Sequence, residues 1–396
     1  MKNSYLKKII LVSFLFLLFI PHLTSAENKI FIKEYTYQAS EEDSRNSCRT
    51  ISLREVKRLL LEELGTYLES ITEVQDFQLT KDQITTLTAG IVKTEIIEEK
   101  WDGRTYWLKS KIAADSREVI KSIDILRKDR VKTRELEEVR RQSEALLREN
   151  ERLKKVLAVK TGKYRKENTA AYNKTIKDLT AIEWSEQGYA ASQSGDLNDA
   201  IDAYSNAIAL NPKYGQFYLR RGGAYFSLGK YDEAIKDFNK GIDTSPIISD
   251  VFYGLRGFAY FQLGNYNQAI KDYDKAIKQN PKNESAYTGR GRAYWNLGNH
   301  NKAMRDYDRS IEINPKEAYC YIIRGLAYSQ LGNYNQAIQD YDKAIEIDPK
   351  DGGLYFNRGR AYAEIGDARY LMDIKTAARL GIKVAQDFLK KEGMSW

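Results

Sequence analysis

Histidine, cysteine and proline are all scarce in this sequence, and each scarcity excludes a class of fold or function. The 396 residues contain two histidines, two cysteines and six prolines. With only His22 and His300 present, neither a histidine-based catalytic triad nor a multi-histidine metal site has a basis in the sequence. Cys48 and Cys320 are too few for a disulfide-stapled fold, so we expect each to be a small buried apolar residue.

Catalytic motifs and a strong charge imbalance are also absent from the sequence. It has no nucleophile elbow, no phosphate-binding loop and no metal-ligand spacing. We therefore expect a protein that is not an enzyme and that needs no metal or cofactor. The net charge of +8 is modest for this length and does not by itself indicate a nucleic-acid partner.

The first 26 residues are predicted to be a signal peptide. Three lysines precede an apolar run over residues 9–20, and small residues lead to a cleavage site after Ala26. The run is shorter than the ~20 apolar residues that a membrane span needs, although an uncleaved anchor stays the alternative. We expect export to the periplasm or cell envelope, with membrane contact that is at most peripheral.

Residues 27–121 are predicted to form a small α+β domain with the element order β-α-α-β-β-α. A β-rich segment over residues 30–39 precedes a long helix that Ser40 is expected to cap. Asp102 and Gly103 form a strong turn signal between two strand-like segments, which predicts a hairpin. The sheet is expected to be largely antiparallel.

Residues 122–167 are predicted to be a charged helical connector with an excess of basic residues. Apolar residues at spacings of three and four form a heptad seam from Leu136 to Leu157, interrupted by Ser143 and Asn150. Two hypotheses fit this seam: a short coiled coil that pairs copies of the chain, or a lone helix that acts as a spacer. Because the basic charge surrounds the helix, a solvated surface is favoured over contact with anionic lipid.

Residues 181–366 repeat a unit of about 34 residues six times. In each unit, a large aromatic residue stands four positions before a glycine that can let two helices approach closely. The aligned glycines are Gly188, Gly222, Gly257, Gly291, Gly325 and Gly359. A second glycine follows in every unit, and five of the six prolines close a unit. This period is typical of a solenoid, in which each unit buries its apolar face against its neighbour.

These features resemble the tetratricopeptide repeat family. The resemblance implies a mainly α fold: an α-solenoid of six helix-turn-helix repeats over residues 168–380, with a capping helix over residues 381–396. The repeats start near residues 181, 215, 250, 284, 318 and 352. Gly241 departs from the pattern of the second repeat, so we expect a local irregularity in the stack there.

An arginine precedes the aligned glycine in five of the six repeats. An aspartate follows each arginine by 15 or 16 positions, and the first repeat lacks both, with Gln187 and Ala203 in their places. Joint presence and joint absence predict a structural ion pair between the two helices of a repeat, rather than a ladder that binds an anion. The predicted pairs are Arg221–Asp237, Arg256–Asp272, Arg290–Asp306, Arg324–Asp340 and Arg358–Asp373.

The resemblance also implies that the first helix of each repeat lines a concave groove. The family's groove positions are filled here by Tyr189, Phe226, Phe258, Phe261, Arg292, Trp295 and Arg360. Exposed aromatic rings beside arginine are typical of protein-binding surfaces, although the same rings could pack between neighbouring helices. The family's clamp lysine for a C-terminal carboxylate is missing, so a chaperone-tail receptor is not expected. Its position holds Ser185, Leu219, Gly254, Thr288, Ile322 and Phe356.

The sequence thus predicts a non-enzymatic, exported scaffold of the bacterial cell envelope that binds a partner peptide or protein segment in the groove. The alternative is a structural, oligomeric assembly protein that binds a cell-wall or anionic polymer. The identity of the partner does not follow from the fold, because repeat scaffolds of one fold serve many assemblies.

Overall fold

The computed structural model describes residues 28–71, 79–89, 91–128, 130–159, 162–245 and 249–396. The chain divides into two compact units, one ending at Ala190 and the other beginning at Ala191. The predicted signal peptide lies outside the described residues. Within the ranges above, no helix combines the length and apolar character needed to cross a membrane.

The first unit begins with the predicted order of strands and helices. Its elements are β1 (Asn28–Gln38), α1 (Arg45–Glu69), α2 (Lys81–Ala89), β2 (Thr94–Trp101), β3 (Thr105–Asp115) and α3 (Ser116–Lys128). The strands form an antiparallel sheet in the order β1-β3-β2, with Ile32 opposite Lys111 in the first pair. Gly103 takes a φ of 93° in the hairpin turn, a conformation that glycine adopts without strain. These elements confirm the predicted α+β fold.

The core of this unit lies between the sheet and α1. Leu60 and Leu64 stand one helical turn apart on α1 and are fully buried. They belong to the same apolar cluster as Tyr106, Leu108 and Ile112, which alternate along β3 and face the same side of the sheet. Residues spaced four apart on α1 and two or four apart on β3 therefore pack together in one core.

The start of α1 differs from the prediction, because Ser44 and not Ser40 is its N-cap. The Ser44 hydroxyl accepts a hydrogen bond from the Ser47 amide at 3.1 Å, and the Ser47 hydroxyl accepts one from the Ser44 amide at 2.8 Å. Ser40 instead donates its amide and its hydroxyl to Asp43 at 2.7 and 2.8 Å. Asp43 also accepts a hydrogen bond from the Tyr172 hydroxyl, so the acidic segment makes its contacts outside the helix.

Two long helices follow, α4 (Arg130–Leu157) and α5 (Gly162–Ser194). Of the two hypotheses for the seam, a lone spacer helix does not describe α4, because Leu153 and Leu157 pack against Tyr172 of α5 in a buried cluster. The polar seam residue Asn150 is 2% exposed and donates from Nδ2 to the Thr175 hydroxyl at 3.1 Å. The C-terminal half of the predicted seam is therefore covered by the same chain. The predicted boundary between residues 167 and 168 falls inside α5.

The second unit is a run of helices in which the first and second helices of successive repeats alternate. After the end of α5, the second helices are α6 (Leu197–Leu210), α8 (Tyr231–Thr244), α10 (Tyr266–Gln279), α12 (His300–Ile313), α14 (Tyr334–Ile347) and α16 (Tyr370–Arg379). The first helices are α7 (Gly215–Ser227), α9 (Ser249–Gln262), α11 (Glu284–Asn296), α13 (Ala318–Gln330) and α15 (Gly352–Glu364). The capping helix α17 (Lys383–Lys391) follows, with Ala385 and Leu389 buried. The predicted solenoid of helix pairs is confirmed.

The two glycines of each repeat have different structural roles. The turn glycines all take a φ between 71° and 87°, the left-handed region that ends a helix. They are Gly195, Gly229, Gly264, Gly298, Gly332 and Gly366. The aligned glycines make room instead: a Cβ on Gly291 would lie 2.6 Å from the Tyr307 ring. The first helix of a repeat can therefore approach the large aromatic residue of the second.

Gly241 also makes room for an aromatic ring. A Cβ at this position would lie 1.9 Å from Phe252, which is fully buried at the start of the third repeat. At the next junction the corresponding residues are both alanines, Ala276 and Ala286, and both are buried in one cluster. A glycine packed against a phenylalanine therefore replaces, at the junction after the second repeat, the two alanines of the next junction. The end of this repeat, residues 246–248, lies outside the described residues.

Candidate functional site

The arginine ladder is a set of five two-pronged ion pairs. Each arginine donates from Nε and Nη2 to the two carboxylate oxygens of one aspartate, at 2.7 to 2.9 Å. The pairs formed are Arg221–Asp237, Arg256–Asp272, Arg290–Asp306, Arg324–Asp340 and Arg358–Asp373. All five aspartates are buried. Each pair joins the first helix of a repeat to the second.

The third arginine nitrogen reaches the preceding repeat, a contact that the sequence analysis missed. Nη1 of Arg290 donates to Asp274 at 2.6 Å, and Nη1 of Arg324 donates to Asp308 at 2.7 Å. The acceptors stand one position after the large aromatic residue of the second helix: Ser205, Asn239, Asp274, Asp308 and Asp342. Aligning the repeats would have revealed that each of these positions holds a polar residue. The ladder therefore links neighbouring repeats as well as the helices of each one.

Tyrosine rings flank the same guanidinium groups. Arg324 lies 6.0 Å from the ring centre of Tyr321 and 5.9 Å from that of Tyr328. Burial lowers the pKa of Arg290, but its hydrogen bonds to Asp306 and Asp274 outweigh burial and raise that pKa above its ordinary value. Because the guanidinium nitrogens of the ladder arginines are hydrogen-bonded and their faces lie near tyrosine rings, the ladder stabilises the stack and offers no free cation for a ligand.

A second group of aromatic rings, the aromatic cluster, consists of Phe226, Phe258 and Phe261. The ring centres of Phe226 on α7 and Phe258 on α9 are 4.9 Å apart, and those of Phe258 and Phe261 are 6.5 Å apart. Tyr231 and Tyr266 flank its two ends, at 5.1 Å from Phe226 and 5.3 Å from Phe261. All three phenylalanines are partly exposed. The rings thus pack on each other across two repeats and still present apolar surface to solvent.

The fourth repeat extends this surface with Trp295 and Arg292 of α11. The indole of Trp295 is partly exposed, donates from Nε1 to Gln330 at 3.0 Å and stacks on His300 at 4.2 Å. The guanidinium of Arg292 lies 4.6 Å from the ring centre of Phe261 in the preceding repeat. The predicted residues of the middle repeats therefore come together on the surface of the first helices. Arg360 is exposed on α15, two repeats further along.

Tyr189 is the predicted groove residue that the structure places in the first unit, near the end of α5. It is partly exposed. The aromatic cluster belongs entirely to the second unit. The site built by the described contacts is therefore the surface formed by the second to fourth repeats.

A buried ion cluster in the first unit was also missed. Glu186 on α5 accepts hydrogen bonds from Arg54 at 2.7 Å and from Lys57 at 2.6 Å. Burial raises the pKa of Glu186, but the two cations outweigh burial and lower that pKa to about 2. These residues are separated by 129 and 132 positions, so neither spacing nor repetition could have indicated the contact. The cluster fixes α5 to α1.

Metal ligands do not come together in the part of the chain that the structure describes. No three histidine, cysteine, aspartate or glutamate side chains there are grouped so that they could hold a metal ion.

Comparison with protein families identifies the repeats. Models described as TPR repeat match residues 257–298 and 325–366. Models described as tetratricopeptide repeat match residues 185–246, 285–317 and 306–339. The matches fall within the repeats recognised in the sequence.

Known proteins are similar to part of this chain. Small glutamine-rich tetratricopeptide repeat-containing protein 2 of Mycosarcoma maydis is 37% identical over 78 residues, which are 19% of this chain and 22% of the relative. Hsp70-Hsp90 organizing protein 2 of Arabidopsis thaliana is 38% identical over 60 residues, 15% of this chain and 10% of the relative. The chain thus matches less than a quarter of either relative. The crystal structure of MamA is 29% identical, covers 42% of this chain and 96% of its own, and has a TM-score of 0.38.

Proposed function

Because the chain contains tetratricopeptide repeats, a module of protein–protein interaction, we propose that it is a non-enzymatic scaffold that captures a peptide or protein segment. The observation that carries this proposal is the aromatic cluster of Phe226, Phe258 and Phe261, which is partly exposed and continues toward Trp295. Aromatic rings beside an arginine contribute much of the binding free energy in protein interfaces. The partner segment is expected to lie along the first helices and to place apolar side chains on these rings.

The proposed setting is the bacterial cell envelope. The basic residues and short apolar run of residues 1–26 support export followed by cleavage. N-terminal sequencing of the protein recovered from cells should give Glu27 as the first residue. Recovery of a chain that still begins with Met1 in the cytoplasm would contradict the proposed setting without affecting the proposed binding surface.

The alternative of an assembly protein that pairs through residues 136–157 has less support from the structure. A coiled coil between copies needs an open apolar seam, but Asn150, Leu153 and Leu157 are buried against α5 of the same chain. The binding surface of the second unit has no such intramolecular cover in the contacts described. Capture of a different protein is therefore the better-supported function.

Replacing Phe261 and Trp295 together by alanine should abolish partner capture, because the change removes two adjoining aromatic anchors. A photocrosslinking amino acid at Gln262, which is exposed beside Phe261, should label the partner in cells. The double substitution should remove this crosslinked product. Mass spectrometry of the product would identify the partner.

The matched control replaces Val384 and Phe388 by alanine on the capping helix, where both are exposed apolar residues distant in sequence from the cluster. This change should leave the crosslinked product intact, and a photocrosslinker at exposed Lys271 on α10 should give no such product. Equal crosslinking by the Phe261 and Trp295 double variant, with an unchanged circular dichroism spectrum, would refute the proposed surface.

A further inference from the structure

Arg292 differs from the five arginines of the ladder. Each ladder arginine is paired with a buried aspartate, as Arg290 is with Asp306 at 2.7 Å only two positions away. Arg292 instead lies against the ring of Phe261, and within the described residues no carboxylate forms a salt bridge with it. The Arg292 side chain is partly exposed, so a ligand from solvent can still reach its guanidinium.

Two tyrosines of the second helices feel the charge of this cation. Tyr341 shows where the large aromatic residues of the second helices end, because its hydroxyl lies 3.3 Å from that of Ser329, at the position equivalent to Phe261 and Trp295. Burial raises the pKa of both Tyr273 and Tyr307, and in both cases the nearby positive charge of Arg292 opposes that rise. Both tyrosines are buried and uncharged at neutral pH, so neither supplies a counter-charge to Arg292.

We propose that the partner segment carries an aspartate or glutamate side chain close to an apolar residue, and that its carboxylate pairs with Arg292 while the apolar side chain packs on the aromatic cluster. This inference rests on the proposed function and adds the chemistry of the partner. Arginine binds a carboxylate through two parallel hydrogen bonds, and stacking on Phe261 already orders the guanidinium.

The charge of the site favours a carboxylate over a phosphate group. Arg292 supplies one positive charge, and the ring that it contacts, Phe261, and the nearby residue of its own helix, Trp295, are neutral. A phosphorylated side chain carries ≈ −1.5 to −2 and is usually held by several arginines. An acidic side chain inside the segment is also distinguished from a free chain end, because the family's clamp lysine is missing from this sequence.

Selection from a peptide library tests the inference directly. The probe is a phage-displayed library of random peptides that are fused at their C-termini to the coat protein, so that no free C-terminal carboxylate is present. Selection on the purified full chain should yield peptides with Asp or Glu near Phe, Trp or Leu. Binding of these peptides should require Phe261 and Trp295.

The variant Arg292→Met keeps an unbranched apolar side chain over Phe261 and removes the charge. Selection on this variant should retain the apolar preference and lose the acidic one. Arg305→Met is the matched control, because Arg305 is exposed on α12 outside this surface, and it should give the wild-type selection. In a selected peptide, a Glu→Gln or Asp→Asn change should weaken binding to the wild type about tenfold and should barely affect binding to the Arg292→Met variant.

Each other result contradicts a different statement. Peptides that need Phe261 and Trp295 but show no acidic preference, or the same preference on Arg292→Met, overturn the inference and leave the proposed function standing. The library contains no phosphorylated residues, so a synthetic peptide with phosphoserine in place of the selected Asp or Glu is compared separately. Tighter binding of the phosphoserine peptide overturns the choice of a carboxylate. A selection that yields no binder dependent on Phe261 and Trp295 overturns both the inference and the proposed function.

Discussion

The second unit makes the same contacts in successive repeats, whereas the first unit makes each of its contacts once. In the second unit, one cation is shared by two carboxylates, as Arg290 is by Asp306 and Asp274. In the first unit, one carboxylate is shared by two cations, as Glu186 is by Arg54 and Lys57. Both solutions neutralise a buried charge. The repeated one can be recognised from the sequence because it returns with a fixed period, and the single one cannot.

The comparison also bears on the proposed binding surface. Within the second unit, the ladder arginines make contacts that recur, whereas Arg292 stands at a position whose residue changes from repeat to repeat. A departure in a repeated structure is easily recognised because the other copies supply the reference. The first unit has no such reference, so a functional residue there looks like any other buried or exposed side chain.

The largest loss of stability is expected when a buried carboxylate of the ladder is removed. Asp306→Ala leaves the buried part of Arg290 without its main counter-charge and should destabilise the fourth repeat by about 3–5 kcal/mol. Because repeat stability is largely local, hydrogen exchange in α11 and α12 should accelerate more than exchange in α15. Urea unfolding followed by circular dichroism measures the total loss.

Asp274→Ala is the matched control, since it removes the other carboxylate that Arg290 contacts, and this one is 51% exposed. Its loss should lower stability by at most about 1 kcal/mol. Equal losses for the two variants would show that the buried pair contributes no more to stability than the exposed one. An unchanged melting temperature for Arg290→Ala would show that the ladder is not structural.

Most of the fold could be predicted from the sequence, for reasons that differ between the units. In the second unit, the recurring glycines and prolines mark both ends of each helix, so the boundaries follow from turn chemistry. In the first unit, the strands and helices follow from their apolar periods, but the cap of α1 does not. Ser40 and Ser44 are both suitable caps by residue type; in the structure Ser44 pairs with Ser47, and Asp43 binds Tyr172, 129 positions away.

The candidate site could be predicted in part. The positions of Phe226, Phe261 and Trp295 come from the repeat register, and the structure places them on neighbouring first helices. The lack of a salt bridge to Arg292 among the described residues could not be predicted, because it depends on which side chains the fold brings near this arginine. The packing of α4 on α5 was also beyond the sequence, since a heptad seam does not reveal whether its partner is another copy or the next helix.

Leu153 tests whether the first unit really uses its connector as part of a core. Leu153→Ala removes a side chain that is 1% exposed against Tyr172 and should lower the stability of this unit by about 2–5 kcal/mol. Unfolding measured over a wide range of protein concentration should give the same midpoint, because the contact lies within one chain. The exposed residue Ala145 of the same helix supplies the control, and Ala145→Ser should have little effect. A midpoint that rises with concentration would instead support pairing of copies through α4.

The smallest effect is expected at the helix caps, where α1 of the first unit and α10 of the second unit differ. Ser44 caps α1 with its hydroxyl, whereas Asn265 precedes α10 without a side-chain cap. At Asn265 the preceding glycine takes a φ of 76°, and the Asn265 amide donates to the Tyr260 carbonyl oxygen at 2.8 Å. The backbone therefore organises this turn without help from the asparagine side chain.

Ser44→Ala should destabilise the first unit by about 1 kcal/mol, because it leaves the Ser47 amide without its acceptor. Asn265→Ala should change the stability of the second unit by a few tenths of a kcal/mol, about the size of an ordinary surface substitution. Amide hydrogen exchange at the first turns of α1 and α10 measures both effects in one experiment. An equal loss at the two caps would mean that the turn before α10 relies on its asparagine side chain, and the distinction between a cap made by a side chain and one made by the backbone would fail.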